Sequence, residues 1–356
     1  MTQSLWPSPA ALEEYSEACG VEGASSSLPL PNVAQLNHMP TVEYIAEDFA
    51  GAFAPVNGAN NLDVSWPFLV WSAISVGRAG LLHLVQYGEY SLLEMVYRAA
   101  ILFANLRDDG YGQIRRSEAY LGLDPSEKSA ISYFLGLTMA KAFAETVLAV
   151  PWLIHLDVYR DELLAILEGQ SHPDLVGQTA GGDWIVVEAK GRSNSFDQTA
   201  LEGAKEQAQA VVTIGGTEPV LRIGMVTHFS GTDNGQLRFR ASDPPPDERR
   251  VHRDLPLSRE RLIEGYYRPF RMWLSRSQRR VELGGRIFRI AEADNADFTV
   301  GVAENRLEQG AAGLSEPEHH IENENYYIGR DGVLVILGSM WSPDNMQLEP
   351  QSRTRP

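Results

Sequence analysis

Thirteen residues separate Asp174 from Glu188, and Lys190 follows Glu188 two places later. Two carboxylates and an amine are the residue types that trap a divalent cation and act on a phosphate beside it. Pro173–Gln178 and Trp184–Ala189 read as strands, and Thr179-Ala180-Gly181-Gly182-Asp183 reads as the turn between them. Side chains alternate along a strand, so Glu188 and Lys190 share a face. Hard oxygen ligands suit Mg²⁺, with Mn²⁺ as a substitute. A bound cation acidifies water and neutralises charge growing on a phosphate, and a neighbouring lysine orients the water or steadies the phosphoryl oxygens. Trp184-Ile185-Val186-Val187 is apolar without a break, the mark of a strand buried on both faces. A buried strand that ends in a charged pair conflicts with pure packing, and such conflicts mark function. The plainer alternative is a Glu–Lys pair at a strand end, with Asp174 in a turn.

The elements that must position these residues read as several modules, since 356 residues is long for one core. Residues 1–60, punctuated by Pro29, Pro31, Pro40 and Pro55, read as a loosely structured lead-in. Residues 61–149 read as helical: Ser91–Leu106 carries a 3.6-residue apolar period, and Asp124-Pro125 opens a helix to about Leu148. Residues 150–242 read as an α/β core. It runs through a strand at Val150–Leu156, a helix at Asp157–Glu168 and the Asp174–Lys190 hairpin. A helix opened by Ser195-Phe196-Asp197-Gln198 and ending near Gly215-Gly216 follows, then strands at Val220–Phe229 and Gln236–Ala241. Prolines 244–246 mark a boundary. Residues 249–356 then read as an Arg-rich helix, Ser258–Arg280, and a small module with strands at Arg286–Ile290, Phe298–Val302, Tyr326–Ile328 and Val333–Leu337.

Pro-Asp, thirteen residues, Glu-x-Lys and then a helix resembles the PD-(D/E)xK nuclease superfamily over about residues 150–230. The resemblance implies a restriction-endonuclease-like α/β fold: a mixed sheet flanked by helices, here with a mainly helical N-terminal module and a C-terminal α+β extension. It implies that Asp174, Glu188 and the backbone carbonyl of Ala189 bind Mg²⁺, that Lys190 assists the attacking water, and that hydrolysis leaves a 5′-phosphate. Many members carry an acid on a helix before the first motif strand, and Glu162 is the candidate. Gln207 borders the apolar face of the following helix and is a further candidate. Val211 stands four residues after Gln207, so the Gln-x-x-x-Tyr of exonuclease-like members is absent. The implied activity is Mg²⁺-dependent DNA cleavage in bacterial restriction or phage defence. The alternative is a non-catalytic nucleic-acid-binding or protein-interaction module on the same scaffold, with helices 91–148 as the binding surface.

A net charge of −17 disfavours indiscriminate nucleic-acid binding. Residues 249–289 nevertheless hold 12 Lys+Arg against 4 Asp+Glu. Arg268, Arg271, Arg276, Arg279 and Arg280, interleaved with aromatic residues, and Arg192 beside the motif are candidates for tracking a phosphate backbone. The alternative is that these arginines pair with acidic flanks. DNA is the expected partner, RNA stays open, and a second copy or an accessory defence protein is the expected activator. The longest apolar run, Val64–Gly77, is short and cut by Pro67, so no membrane span is expected. The N-terminus lacks a signal pattern and Cys19 stands alone, so a cytoplasmic protein without disulfides is expected. His155 and His172 read as polar core or loop residues rather than bases, and His319-His320 as solvated surface.

Overall fold

A computed structural model of the chain describes residues 39–76, 89–159, 172–231, 235–245, 254–275, 277–293, 296–308 and 319–347. In chain order its strands are β1 (Thr41–Glu47), β2 (Gly58–Asp63), β3 (Leu106–Asp108), β4 (Ile114–Arg116), β5 (Trp152–His155), β6 (Leu175–Gln178), β7 (Trp184–Gly191), β8 (Thr213–Ile214), β9 (Leu221–Phe229), β10 (Leu237–Ser242) and β11 (Asp254–Leu255). They continue as β12 (Arg280–Leu283), β13 (Arg286–Ala293), β14 (Phe298–Ala303), β15 (Ile321–Glu322), β16 (Tyr326–Ile328) and β17 (Val333–Leu337). The helices are α1 (Trp66–Ser75), α2 (Glu89–Asn105), α3 (Glu118–Gly122), α4 (Pro125–Thr146), α5 (Gln198–Ala208), α6 (Arg259–Leu274), α7 (Glu304–Glu308) and α8 (Pro343–Met346).

A seven-stranded mixed sheet, ordered β2-β1-β10-β9-β7-β6-β5, carries the motif strands near its middle. β7 runs parallel to β9 and β1 parallel to β10, while the other neighbours are antiparallel. The unbroken apolar run of β7 is buried as its composition demands. α4 lies on one face of this sheet and α5 on the other. Asp124 and Glu127 close a capping box on α4, with Pro125 in its first turn. A second, six-stranded antiparallel sheet follows, ordered β12-β13-β14-β17-β16-β15. α1, capped by Ser65, sets Phe68 and Trp71 against Tyr327 of this sheet at ring distances of 4.8 and 5.1 Å. No described helix is long and apolar enough to cross a membrane.

Several boundaries differ from the sequence reading. β1 and β2 come from the segment expected as lead-in, because Val42, Tyr44 and Ala46 alternate inward and find β10 as a distant parallel neighbour. The described residues all fall within one compact unit, and α4, from the segment read as a helical module, is buried along its second half. α5 is capped by Asp197, which accepts from the Ala200 N–H at 3.2 Å, and it stops at Ala208. Gly215 and Gly216, at φ of 57° and 77°, instead form the turn after β8. α6 ends at Leu274, and Arg280 opens β12.

Lys141, Glu145 and Asp331 tie the two sheets together, each with no exposed surface. Lys141 Nζ donates to the Pro151 carbonyl at 2.7 Å and lies 4.4 Å from the Trp71 ring and 4.9 Å from the Tyr266 ring. Tyr266 Oη donates to the Asp331 carboxylate and Tyr267 Oη to its carbonyl. Glu145 Oε1 accepts from the Arg330 N–H at 2.9 Å. Burial pulls the Lys141 ammonium below its ordinary range, and the charges of Asp331 and Glu145 resist that. Replacing one member of such a set leaves a buried charge unanswered. Lys141→Met is therefore expected to lower the unfolding free energy at neutral pH by about 3–5 kcal/mol in urea titrations. The deficit should shrink in acid as the two carboxyls protonate, and a loss well under 1 kcal/mol would show the charge to be dispensable.

Candidate active site

Leu175 lies across from Val187 in the β6–β7 ladder, so Asp174 and Glu188, one step further, face each other on the same side of the sheet. The Asp174 N–H donates to Glu188 Oε2 at 3.0 Å, and the Ala189 N–H donates to Asp174 Oδ2 at 3.3 Å. Each carboxylate is thus fixed by a backbone donor of the opposing strand. Lys190 Nζ donates to Glu188 Oε1 at 2.8 Å and also to Gln207 Oε1 of α5. The Glu188 side chain is 4% exposed, whereas those of Lys190 and Asp174 are each 22% exposed, so the cluster is sunk but open on one side.

His155, at the end of β5, completes one wall. Its Nε2 lies 3.9 Å from Asp174 Oδ1 and 3.1 Å from Tyr133 Oη. Its Nδ1 accepts from the Asp157 N–H at 3.1 Å, which assigns the proton of the neutral ring to Nε2, on the side of Tyr133 and Asp174.

Burial pushes the Glu188 carboxyl up to about 7, the Asp174 charge adds to the rise, and the Lys190 ammonium opposes it. Burial raises the Asp174 carboxyl too, against the Ala189 N–H and Lys190. Two sunken acids that repel each other are a donor set that a cation relieves. Each Glu188 oxygen accepts one hydrogen bond from this cluster and has a second lone pair. No group of three His, Cys, Asp or Glu placed to hold a metal occurs among the described residues. A metal here would draw two carboxylates from the protein and the rest of its shell from carbonyl and water oxygens. That suits Mg²⁺ better than structural zinc.

Asp174, Glu188, Lys190 and Gln207 are brought together as the spacing suggests, with the Ala189 backbone between the two strand residues. Arg192, just past β7, pairs through Nε with Asp197 Oδ2 at 3.1 Å. Glu162 and Arg276 lie outside the described residues. Arg268 pairs with Glu264 at 3.1 Å, Arg279 with Glu292 and Arg280 with Glu304 at 2.7 Å, so at these positions the structure shows pairing with neighbouring acids. Arg271 is half-buried on α6. His155 was read from the sequence as a polar core or loop residue, and Tyr133 and Asp157 were not singled out there; the strand reading of Val150–Leu156 placed His155 but left the neighbour of β5 unstated.

Comparison with family models, curated proteins and solved structures gives no match to this chain, so the functional reading rests on the residues themselves.

Glu188 is raised to about 7 from an ordinary 4.5, so its ionised form is disfavoured in the folded state. Its ionisation therefore costs stability that grows as pH rises from 4.5 to about 7 and is constant above. Glu188→Gln removes this dependence. The difference in unfolding free energy between variant and wild type should move in the variant's favour by about 1–3 kcal/mol across that window. A difference that stays constant between pH 5 and pH 8 would show Glu188 to be an ordinary carboxylate.

Proposed function

We propose that the protein is a Mg²⁺-dependent nuclease of the PD-(D/E)xK kind that hydrolyses DNA phosphodiesters, with the seven-stranded sheet and its flanking helices as a restriction-endonuclease-like core. The observation that carries this reading is the reciprocal tie of Asp174 and Glu188 across two strands, with the Lys190 ammonium 2.8 Å from Glu188. Packing alone gives no reason to sink two acids and an amine at the open end of an apolar strand.

Asp174 and Glu188 would hold the cation, which when bound supplies charge neutralisation at the phosphate and acidification of a water. The protein's own residues supply position and charge. The Ala189 and Asp174 N–H groups fix the two carboxylates, so neither must be reorganised when substrate arrives. Lys190, steered by Glu188 and Gln207, presents its ammonium to the attacking water and to the negative oxygens that build up as the phosphoryl centre is attacked. His155 Nε2 stands 3.9 Å from Asp174 Oδ1 and is itself met by Tyr133 Oη at 3.1 Å. The setting we infer is restriction or phage defence, where a net charge of −17 keeps the enzyme off bulk DNA until a partner or second copy presents it.

Supercoiled plasmid incubated with the full chain and Mg²⁺ or Mn²⁺ tests the reading. Asp174→Asn, Glu188→Gln and Lys190→Ala should each cut the rate by about 100-fold or more while retaining a cooperative unfolding transition. Gln207→Ala, which loses only the steering of Lys190, should cost about tenfold. Cleavage that survives Glu188→Gln and Lys190→Ala at the wild-type rate would place the activity elsewhere.

A further inference from the structure

Strand alternation carries the candidate site sideways across the sheet. Gly191 pairs with Thr227, so Arg192 stands next to His228, His228 pairs with Arg238, and Arg238 pairs with Glu43. This row shares the face of Glu188 and Lys190. One row inward, Lys190 pairs with Val226 and Val226 with Arg240. α5 covers Val226 with Ala200 and Leu201. The way from Lys190 to Arg240 therefore passes around the N-terminal end of α5, where Arg192 and Phe196 stand.

Beyond that end lies an open cleft of about 310 Å³ lined by Glu43, Asn60, Asn61, His228, Arg238 and Arg240, among others. The Arg240 guanidinium lies 4.1 Å from the centre of the Phe196 ring, and Phe196 lies 5.5 Å from the His228 ring. Burial, joined by the charges of Arg240 and Arg238, holds His228 down to about 4.

The cleft lining sets two arginines against one carboxylate in a chain of net charge −17. Arg238 meets Glu43 at 2.9 Å and Arg192 meets Asp197 at 3.1 Å, both partly exposed pairs of the kind that exchange at little cost. Among the described residues no carboxylate pairs with Arg240. Arg192 and Arg238 are two strand spacings apart, roughly 10 Å.

We propose that this face seats a nucleic-acid strand, with Arg192, Arg238 and Arg240 taking successive backbone phosphates and leading the strand past Phe196 to Lys190. The proposal rests on the nuclease reading for where the strand is led. Its binding claim stands by itself.

Fluorescence anisotropy of one labelled 20-mer sequence, offered as duplex DNA, single-stranded DNA and RNA in EDTA, reads binding without cleavage. The full chain carrying Arg238→Ala and Arg240→Ala should bind about tenfold weaker or worse, with a salt dependence shallower by about 1.5–2. Arg192→Ala, which removes only an exposed pair, should give a smaller loss of the same sign and guards against misfolding of the double variant. Arg268→Ala with Arg279→Ala should bind as wild type does. Unchanged affinity and salt slope in the first two variants, loss in the third instead, or no binding by wild type overturns the proposal. The tightest of the three ligands identifies the source of the backbone. Binding that depends on Arg238 and Arg240 in a protein that cleaves nothing keeps the groove and removes the nuclease reading. Cleavage undiminished in the Arg238→Ala, Arg240→Ala protein keeps the nuclease and removes the groove.

Discussion

The sheet is gripped by two helices closer than any side chain permits, and the arrangement of the candidate site follows from that grip. A Cβ built on Gly191 would stand 1.8 Å from the Ser132 carbonyl oxygen of α4, and one on Gly224 would stand 2.5 Å from the Lys205 nitrogen of α5. Both obstacles are backbone, so neither can swing aside. Glycine is required here for closeness of approach rather than for turn geometry. Gly136 of α4 adds to the fit, since a Cβ there would meet the Lys190 carbonyl carbon at 3.2 Å. Lys190 is thereby pressed from behind by α4 while its side chain is met in front by Gln207 of α5. A rigid support of this kind would suit the proposed phosphate chemistry, because displacements near 1 Å are costly to such reactions.

Among the described residues two sunken clusters each join one lysine to two acids, and surroundings give them different work. Lys141, Glu145 and Asp331 are sealed, with tyrosine hydroxyls, backbone donors and aromatic rings meeting their charges. Asp174, Glu188 and Lys190 have equivalent groups but open to solvent on one side. Residue type alone does not separate a structural clamp from a reactive site. What separates them is whether any lone pair or ammonium proton can still reach a visitor.

The hairpin that bears the site was legible in the sequence because everything it needs is local: an apolar run, a Gly-rich turn and charges at strand ends. The long α4 was legible for the same reason, through Asp124, Pro125 and an apolar girth. β1 was not, since its parallel neighbour β10 lies far along the chain, and β2 sits at the sheet edge on β1 alone. The cap of α5 was misplaced by two residues because Ser195 and Asp197 both fit an N-cap, and only the fold decides which one turns inward. The arginines of α6 and β12 attracted notice by density, yet density says nothing of partners, and Glu264, Glu292 and Glu304 answer three of them. Arg238 and Arg240, spaced two apart on one strand, drew none, although alternation alone sets them on a common face.

β10 begins 190 residues after β1 ends, yet the two run side by side. At a ribosomal pace of about 5–20 residues per second, β1 waits roughly 10–40 s for its neighbour to be made. The β6–β7 hairpin can close soon after it emerges, because its halves are adjacent. A nascent chain therefore owns its acid–amine cluster well before it owns the wall that Glu43 and Arg238 build together. Assembly order, written into strand order, makes that wall one of the last parts of the main sheet to exist.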